Sequence, residues 1–354
     1  MERATVALYE TLASDYDRAR KPVRRDEAAA FGSTIAAGAV RLDVGSGAGR
    51  YTADLGTPVV ALDAARAMLD LTRRHAPDAL CVQADLERLP LRRQSASGAW
   101  SSMTYHHIPK DRLPLALAEL HWALAVGAPI DVTAVHGDYE GHGYPQDDFP
   151  GRYFASWHED EIGDFVTGAG FDVARVSRPG PNVRVEAVRA RSLPDTVGAG
   201  MRLLVCGLNP SVYAADAGVG FARPNNRFWP AALEAGLVSR PRDARHALAE
   251  HGIGMTDLVK RATVRSSELG PDEYRAGVAR VERLVRRFRP GAVCFVGLEG
   301  WRLAIDRKAA PGPVAAGFAG VPAYLMPSTS GLNAATRLDD LVAHLRRAAG
   351  ARTA

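Results

Sequence analysis

The sequence predicts an α/β protein with two domains, each built on a mainly parallel sheet. Apolar strand-like runs alternate with helical stretches in both halves of the chain, and this alternation is typical of parallel sheets. A short segment containing Pro and Gly separates the two series. The length of 354 residues, with 47% hydrophobic and 24% charged residues, suits two globular cores.

The first series lies in the N-terminal half. Helical stretches such as 64–75 separate its strand-like runs, and segment 182–191 is a candidate last strand. The predicted strands are Arg41–Val44, Val59–Leu62, Leu80–Gln83, Ser97–Trp100 and Ile130–Thr133.

The second series begins at Met201. Its predicted buried strands are Arg202–Gly207, Ala292–Gly297 and Val321–Met326. We therefore predict a first domain over 1–191, a linker over 192–200 and a second domain over 201–354.

Composition excludes several classes of protein. No apolar stretch approaches about 18 residues, and the N-terminus lacks the charged-then-apolar order of a secretory signal. We therefore expect no membrane partner and a cytoplasmic location. The three cysteines lie in apolar runs, so they are interpreted as buried hydrophobic residues; a four-cysteine iron–sulfur cluster is excluded, and no metal is expected.

Charge is distributed unevenly along the chain. Residues 1–200 carry 22 Lys and Arg against 27 Asp and Glu, net −5, whereas residues 201–354 carry 22 against 13, net +9. The C-terminal half therefore has the balance of a phosphate-binding surface. Only four of the 44 basic residues are Lys, so the abundance of Arg also fits a coding bias.

A glycine-rich motif follows the first predicted strand. It is Asp43-Val-Gly-Ser-Gly-Ala-Gly49, and its glycines allow the backbone to approach a ligand closely. Asp63 ends the next strand, where its carboxylate is placed to accept hydrogen bonds from ribose hydroxyls. Asp85 follows the third strand, where a carboxylate could accept from an adenine amine.

This ordered set resembles the class I S-adenosylmethionine-dependent methyltransferases, over residues 9 to about 190. The resemblance implies a Rossmann-like fold with S-adenosyl-L-methionine bound by Asp43, Gly45, Gly47, Asp63 and Asp85. A nicotinamide-dinucleotide domain is the alternative. Asp43 argues against it, because an acid at this strand end suits the ammonium of S-adenosylmethionine and would repel a pyrophosphate.

The methyl acceptor is not identified by any motif. His106 and His107 follow the fourth strand, where they either shape the mouth of the pocket or act as a base on an acceptor hydroxyl. Tyr139, Tyr153 and Trp157 are candidate lining residues of an acceptor pocket, although such aromatic residues also pack on one another.

Three further motifs occur in order in the C-terminal half. The first joins Cys206-Gly-Leu-Asn-Pro-Ser211 to Phe221-Ala-Arg-Pro-Asn-Asn-Arg-Phe-Trp229, and the others are Gly254 to Val264 and Leu325 to Asn333. The apolar run before Gly207 predicts a buried strand, so Asn209 should project from its carboxyl end. A Gly-x-Asn-Pro turn alone is more often structural.

Together these motifs resemble the mismatch-specific uracil-DNA and thymine-DNA glycosylases, over nearly all of 201–350. The resemblance implies the three-layer α/β/α fold of the uracil-DNA glycosylase superfamily and double-stranded DNA with mismatched or damaged pyrimidines as the partner. It also implies that Asn209 orients the attacking water and that Phe221 stacks on the flipped base. Backbone amides near Leu208 stabilise the departing base, and Asn226 fixes the pocket or caps the following helix.

The same resemblance assigns DNA contacts to the third motif. Ser328, Thr329 and Ser330 match a serine-bearing loop that grips phosphates, and Leu332 matches a wedge that enters the base stack. A buried leucine in the turn is the alternative for Leu332. Arg337, with Lys260 and Arg261, is a candidate phosphate contact. Ser211 departs from the family pattern, in which a glycine stands at this position.

We therefore predict a bifunctional fusion. Its glycosylase hydrolyses the N-glycosidic bond of uracil, with thymine as a second candidate, in G·U and G·T mispairs, without a cofactor and without strand cleavage. Its methyltransferase has an unknown acceptor. One alternative makes methyl transfer to nucleic acid or a small molecule the main activity, with the C-terminal domain as a DNA-binding module; another is a non-catalytic DNA-binding protein.

Overall fold

The structure is a computed structural model that describes residues 1–350. The chain divides into two compact units, of which unit 1 is Met1–Ala190 and unit 2 begins at Arg191. Among the residues described, no helix is long and apolar enough to cross a membrane.

Unit 1 alternates helices and strands, as the sequence predicts. Its helices are α1 (Arg3–Ala19), α2 (Arg25–Ser33), α3 (Arg66–His75), α4 (Leu113–Ala123) and α5 (Glu159–Gly168). Its strands are β1 (Arg41–Val44), β2 (Val59–Asp63), β3 (Leu80–Gln83), β4 (Gly98–Ser102), β5 (Pro129–Val135), β6 (Glu140–His142), β7 (Tyr153–Ala155), β8 (Phe171–Ser177) and β9 (Asn182–Arg189).

The main sheet of unit 1 has the strand order β3-β2-β1-β4-β5-β9-β8. Strands β1 to β5 are parallel, and β9 runs antiparallel to both β5 and β8. The order reverses between β1 and β4, and open α/β sheets bind ligands at the carboxyl ends of the strands at such a reversal. This Rossmann-like arrangement confirms the predicted fold of the N-terminal half.

Unit 2 is a second α/β unit. Its helices are α6 (Val212–Ala217), α7 (Phe228–Glu234), α8 (Ala244–His251), α9 (Pro271–Phe288), α10 (Glu299–Ala304) and α11 (Leu338–Ala349). Its strands are β10 (Leu203–Gly207), β11 (Ile253–Asp257), β12 (Val293–Val296), β13 (Gly312–Phe318) and β14 (Val321–Met326).

The sheet of unit 2 has the strand order β11-β10-β12-β14-β13, parallel except for β13. One core cluster joins Leu203 and Val205 of β10 to buried residues of α7, α8 and α11. The alternate β10 residues Leu204 and Cys206 are also buried but lie outside this cluster. Because successive strand side chains point to opposite faces, both faces of the sheet are covered.

The segment predicted as a linker belongs to unit 2. Thr196 and Met255 exchange backbone hydrogen bonds of 2.8 Å in both directions, and Asp195 is buried. The segment predicted as a linker over 192–200 therefore packs in part against unit 2.

Candidate active sites

A cavity of about 770 Å³ opens at the carboxyl ends of β1, β2 and β4 in unit 1. Its volume is in the range that encloses small ligands and cofactors. The predicted residues Asp43, Gly45, Gly47 and Asp63 all line it. Aromatic residues and histidines form other parts of its wall, among them Tyr9, Tyr16, Tyr144, Phe154, His106 and His107.

The glycine-rich loop and Asp63 form one hydrogen-bonded arrangement. Gly45 and Gly47 adopt φ of +71° and +54°, a left-handed conformation that favours glycine. The Gly47 amide donates to Asp63 Oδ2 at 2.8 Å, and the Ala65 amide donates to Oδ1 at 2.9 Å. A Cβ atom on Gly47 would meet no atom within 4 Å, so the loop leaves room beside Asp63.

Two carboxyl groups in this cavity have raised pKa values. Burial raises the pKa of Asp43 to about 7, although Thr52 donates a hydrogen bond of 2.5 Å to its carboxylate. Burial likewise raises the pKa of Asp63 to about 6, against the opposing effect of its backbone hydrogen bonds. The charge on Asp63 also raises the pKa of Asp43. Such a pair favours a ligand that brings a positive charge and hydroxyl donors.

Asp85 is placed differently from the other predicted cofactor residues. It is exposed and lies outside the cavity lining. Its carboxylate accepts hydrogen bonds of 2.8 and 3.0 Å from the amino group of Met1, which does line the cavity. Asp85 therefore binds Met1, a residue of the cavity wall, and does not itself face the cavity.

His107 is held in one tautomer by its partners. Nδ1 donates to the Tyr153 carbonyl at 2.6 Å, so Nε2 accepts from the Tyr9 hydroxyl at 2.8 Å. Arg152 in turn donates to the Tyr9 oxygen at 2.8 Å. Burial lowers the pKa of His107 to about 4. His107 is therefore neutral at physiological pH and fully bonded, which favours shaping of the pocket over proton transfer.

His106 differs from its neighbour. It is buried and stacks on Phe154 with ring centroids 5.1 Å apart, and its Nδ1 has no hydrogen-bond partner within residues 1–350. The expected aromatic lining is corrected, because Tyr139, Tyr153 and Trp157 do not line the cavity. Trp157 is instead fully buried in the core.

In unit 2, Asn209 follows the end of β10, and its amide is anchored by neighbouring oxygens. Its Nδ2 donates to the Arg261 carbonyl at 2.9 Å, to Thr263 Oγ1 at 2.8 Å and to the Pro210 carbonyl at 3.1 Å. Carbonyl oxygens only accept, so these contacts identify the nitrogen end of the side chain. Among residues 1–350, Oδ1 has no hydrogen-bond partner and remains able to accept from a water.

Phe221 and Asp257 both lie close to Gly207. A Cβ atom on Gly207 would lie 2.5 Å from Asp257 Oδ1 and 3.5 Å from Phe221 Cζ. The Phe221 ring is partly exposed and stacks on Phe228 with centroids 4.2 Å apart. Gly207 therefore leaves the space that brings an aromatic ring and a carboxyl group to the end of β10.

Asp257 is a buried acid whose charge is only partly offset by the neighbouring cations. Burial raises its pKa to about 6, while Lys260 and Arg280 act in the opposite direction. The Lys260 Nζ lies 3.9 Å from Asp257 Oδ2 but donates to Asp195 at 2.7 Å. A buried carboxyl with a raised pKa at the end of a parallel strand is typical of a functional site.

The loop around Leu332 is fixed by Arg227. The Arg227 guanidinium donates to the carbonyls of Ser330 at 3.1 Å and Asn333 at 2.7 Å, and also to that of Thr336. Leu332 is 93% exposed. Leu332 is therefore a large apolar side chain that is exposed to solvent on a loop held in place by Arg227.

Comparison with known families identifies both units. Residues 42–129 match the family model of the methyltransferase domain, and residues 194–348 match that of the uracil DNA glycosylase superfamily. The chain joins a methyltransferase domain to a domain of the uracil DNA glycosylase superfamily. The first therefore belongs to unit 1 and the second to unit 2.

Solved methyltransferases are similar to part of the chain. The CcbJ methyltransferase of Streptomyces caelestis is 18% identical, with 54% of this chain and 100% of that chain covered and a TM-score of 0.45. The 1,6-didemethyltoxoflavin-N1-methyltransferase of Burkholderia thailandensis is 21% identical, with 53% and 88% covered and a TM-score of 0.43. A DhpI–SAH complex is 22% identical, with 53% and 96% covered and a TM-score of 0.43.

In the glycosylase domain, two residues of the first motif have capping roles. Asn226 Oδ1 accepts from the Phe228 amide at 2.9 Å at the start of α7. Ser211 Oγ accepts from the Ala214 amide at 3.1 Å and caps α6, which accounts for a hydroxyl where the family pattern has glycine. The Leu208 side chain packs toward Gly300, so only its backbone remains a candidate contact for the base.

The predicted DNA contacts of the glycosylase domain differ in exposure. Ser328 and Ser330 are partly exposed and Arg337 is exposed. Thr329 is buried, so its hydroxyl cannot reach a phosphate from this position. Lys260 is also removed from the candidate phosphate contacts, because its side chain is buried against Asp195.

The sequence pattern did not single out Asp257, Thr263 or Arg227. The first two lie within the block 254–264 and the third within the aromatic turn, so their motifs were the only available signal. Their roles depend on pairing between segments, such as the bridge between Ser211 and Thr263, which periodicity does not reveal.

Proposed function

We propose that the glycosylase domain hydrolyses the N-glycosidic bond of uracil in G·U mispairs, with thymine as a second candidate base. The observation that carries the proposal is the anchored Asn209 amide. Its nitrogen is held by Arg261 and Thr263, so Oδ1 is the free acceptor that would orient a water beneath the sugar carbon of an extruded nucleotide.

The proposed reaction needs little base strength at Asn209. The water oxygen bonds to C1′ as the bond from C1′ to the base breaks; the base leaves with the bonding electrons, and the water loses a proton to solvent. Phe221 stacks on the flipped base, and backbone amides near Leu208 stabilise its developing negative charge. Leu332 is placed on an exposed loop, where it fills the vacated stack.

The decisive experiment compares Asn209→Ala and Asn209→Asp in single-turnover excision from a labelled G·U duplex. We expect both to reduce the rate by roughly two to four powers of ten, the scale of a lost positioned group. Asn209→Asp should fail because a carboxylate oxygen would face the Arg261 carbonyl in place of the amide nitrogen. Duplex binding should remain nearly unchanged. Excision by Asn209→Ala at the parent rate would show that the site is misplaced.

We also propose that the methyltransferase domain binds S-adenosyl-L-methionine in the cavity of unit 1. Asp43 would hold its ammonium, Asp63 its ribose hydroxyls, and the Gly45 to Gly47 loop would approach it closely. Each Asp63 oxygen accepts one backbone hydrogen bond and keeps a second lone pair for a hydroxyl. When bound, the cofactor supplies an electrophilic methyl group.

Isothermal titration of the full chain tests this assignment. We expect saturable binding of S-adenosylmethionine and of its demethylated product, with loss of binding in Asp63→Ala. Asp70→Ala is the matched control, because Asp70 is an exposed acid on α3 outside the cavity lining. Binding of NADH without binding of either methyl-donor form would overturn the assignment.

A further inference from the structure

Three metal-ligating side chains meet in unit 1 where β5 ends and α5 begins. One donor atom each from His136, His158 and Glu159 lies within 4.8 Å of the others. His136 Nε2 and Glu159 Oε2 are 3.2 Å apart. Zinc sites have metal–ligand distances of about 2.0 to 2.2 Å, so adjacent donors in a tetrahedral site lie roughly 3.3 Å apart.

The backbone fixes this juxtaposition. Trp157 donates from its amide to the Val135 carbonyl at 2.9 Å, and the Gly137 amide donates to the Trp157 carbonyl at 3.3 Å. Val135 and Trp157 are buried. The hydrogen bonds between these two segments place the residues that follow them, His136 and His158, side by side. The His136 side chain is only 11% exposed, which limits the positions its ring can take.

A second carboxylate supports one of the histidines. His158 Nε2 lies 2.7 Å from Asp138 Oδ1. Histidines that bind a metal commonly donate the other ring N–H to a carboxylate, which sets the tautomer and raises ligand basicity. With Nε2 held by Asp138, His158 would bind a metal through Nδ1.

We propose that His136, His158 and Glu159 bind one divalent ion of the zinc type, with Asp138 as the supporting carboxylate. Two imidazoles and one carboxylate suit Zn²⁺, Co²⁺ or Ni²⁺ better than Mg²⁺ or Ca²⁺. Three protein ligands leave a fourth position for water. The two carboxylates balance the charge of a divalent ion.

The local field contains opposing charges. The site lies at the N-terminus of α5, which disfavours a cation, but Glu159, Asp160 and Glu161 occupy the first turn. Two cations are nearby: the Lys110 ammonium donates to Glu161 at 2.8 Å, and Arg178 acts electrostatically on Glu159. Two separate hydrogen-bonded pairs, His136 with Glu159 and His158 with Asp138, are the competing explanation of the same geometry.

A bound ion would reinforce part of the cavity wall. The His136 amide donates to the Pro181 carbonyl at 3.0 Å, and both Val135 and Pro181 line the cavity. Metal binding is therefore expected to raise the melting temperature of the full chain. The proposed metal binding does not depend on the identity of the methyl donor or acceptor.

Titration of the chelator-treated full chain with ZnCl₂ tests the proposal, and Co²⁺ absorption reports the coordination geometry. We expect one saturable site, visible Co²⁺ bands of a tetrahedral ion, and loss of both in His136→Ala and in His158→Ala. Asp138→Asn should weaken binding about 10- to 100-fold. His142→Ala is the matched control, because His142 is an exposed histidine outside the group.

Three results would overturn the proposal and leave two hydrogen-bonded pairs as the explanation. They are the absence of saturable binding in the parent chain, equal zinc affinity in the double variant of His136 and His158, and loss of binding in His142→Ala alone.

Discussion

Replacing Asp257 by Asn should stabilise the glycosylase domain at alkaline pH and change little at acidic pH. Burial raises the pKa of Asp257 from 3.8 to about 6. The folded domain therefore binds a proton more tightly than the unfolded chain does. The stability contribution is fully present below about pH 4 and is lost as the pH rises through 6.

The magnitude follows from that difference in pKa. Each pKa unit corresponds to about 1.4 kcal/mol, so an ionised Asp257 costs roughly 3 kcal/mol at pH 8. For a unit of this size, 1 kcal/mol shifts the melting temperature by about 2 to 4 °C. The upper limit for Asp257→Asn at pH 8 is therefore a rise of roughly 6 to 12 °C, with almost none at pH 4.

Differential scanning calorimetry of the full chain at pH 4, 6 and 8 measures this effect. Asp272→Asn is the matched control, because Asp272 has a side chain that is 94% exposed, and its variant should shift the transition little at any pH. The reasoning is refuted if Asp257→Asn changes the melting temperature by the same amount at pH 4 and pH 8. A lower melting temperature at pH 8 would also contradict it.

Three further predictions concern the two sites. Thr263→Val should slow uracil excision by about tenfold in single-turnover assays, because Asn209 loses an anchor at 2.8 Å, and a parent rate would contradict this role. Leu332→Ala should weaken retention of abasic duplex DNA in gel-shift assays, with a smaller effect on excision from single strands; equal losses on both substrates would argue against a wedge. Calorimetric affinity for S-adenosylmethionine should rise between pH 6 and 8, because the pKa of Asp43 is about 7 and its ionised form attracts an ammonium. The rise should be clearly smaller in Asp43→Asn, where Asp63, with a pKa of about 6, still ionises over that range, and an equally steep rise in this variant would assign the effect to another group.

The sequence predicts central strands well because both of their faces are buried. The bounds of β1 and β14 agree with the predicted runs. The bounds of β3 also agree, although β3 is an edge strand with partly exposed residues. The edge strands β8 and β13 have mixed exposure, so they lack a continuous apolar run and were not predicted. A period-based prediction depends on burial, which is weakest at the edges of a sheet.

β11 was missed for a different reason. All five of its residues are buried, but it ends in Thr256 and Asp257, which enter a polar network. Thr256 donates to Asp195 at 2.7 Å, and Arg280 donates to Asp195 at 2.7 Å. Although burial opposes it, Arg280 and Lys260 hold the pKa of Asp195 below its usual value. The polar side chains that form this network also interrupt the apolar pattern by which a strand is predicted.

The candidate sites were likewise predicted only in part from the sequence. Asn209 and Asp63 were found because each follows an apolar strand, and strand ends in parallel sheets collect functional residues. The orientation of the Asn209 amide was not predictable, since its acceptors come from residues 261 and 263. Its position after a strand identified the Asn209 side chain as a candidate. Only its contacts with residues 261 and 263 show that the oxygen of the amide is free.

The ligands proposed for the two units have opposite electrostatic requirements, and the uneven charge along the chain is consistent with them. The cavity of unit 1 concentrates Asp43 and Asp63, whose raised pKa values favour a cationic ligand. A DNA-binding surface requires excess positive charge, and residues 201–354 carry net +9 against −5 for residues 1–200. The charge pattern therefore fits the ligands proposed above, a cationic methyl donor for unit 1 and DNA for unit 2.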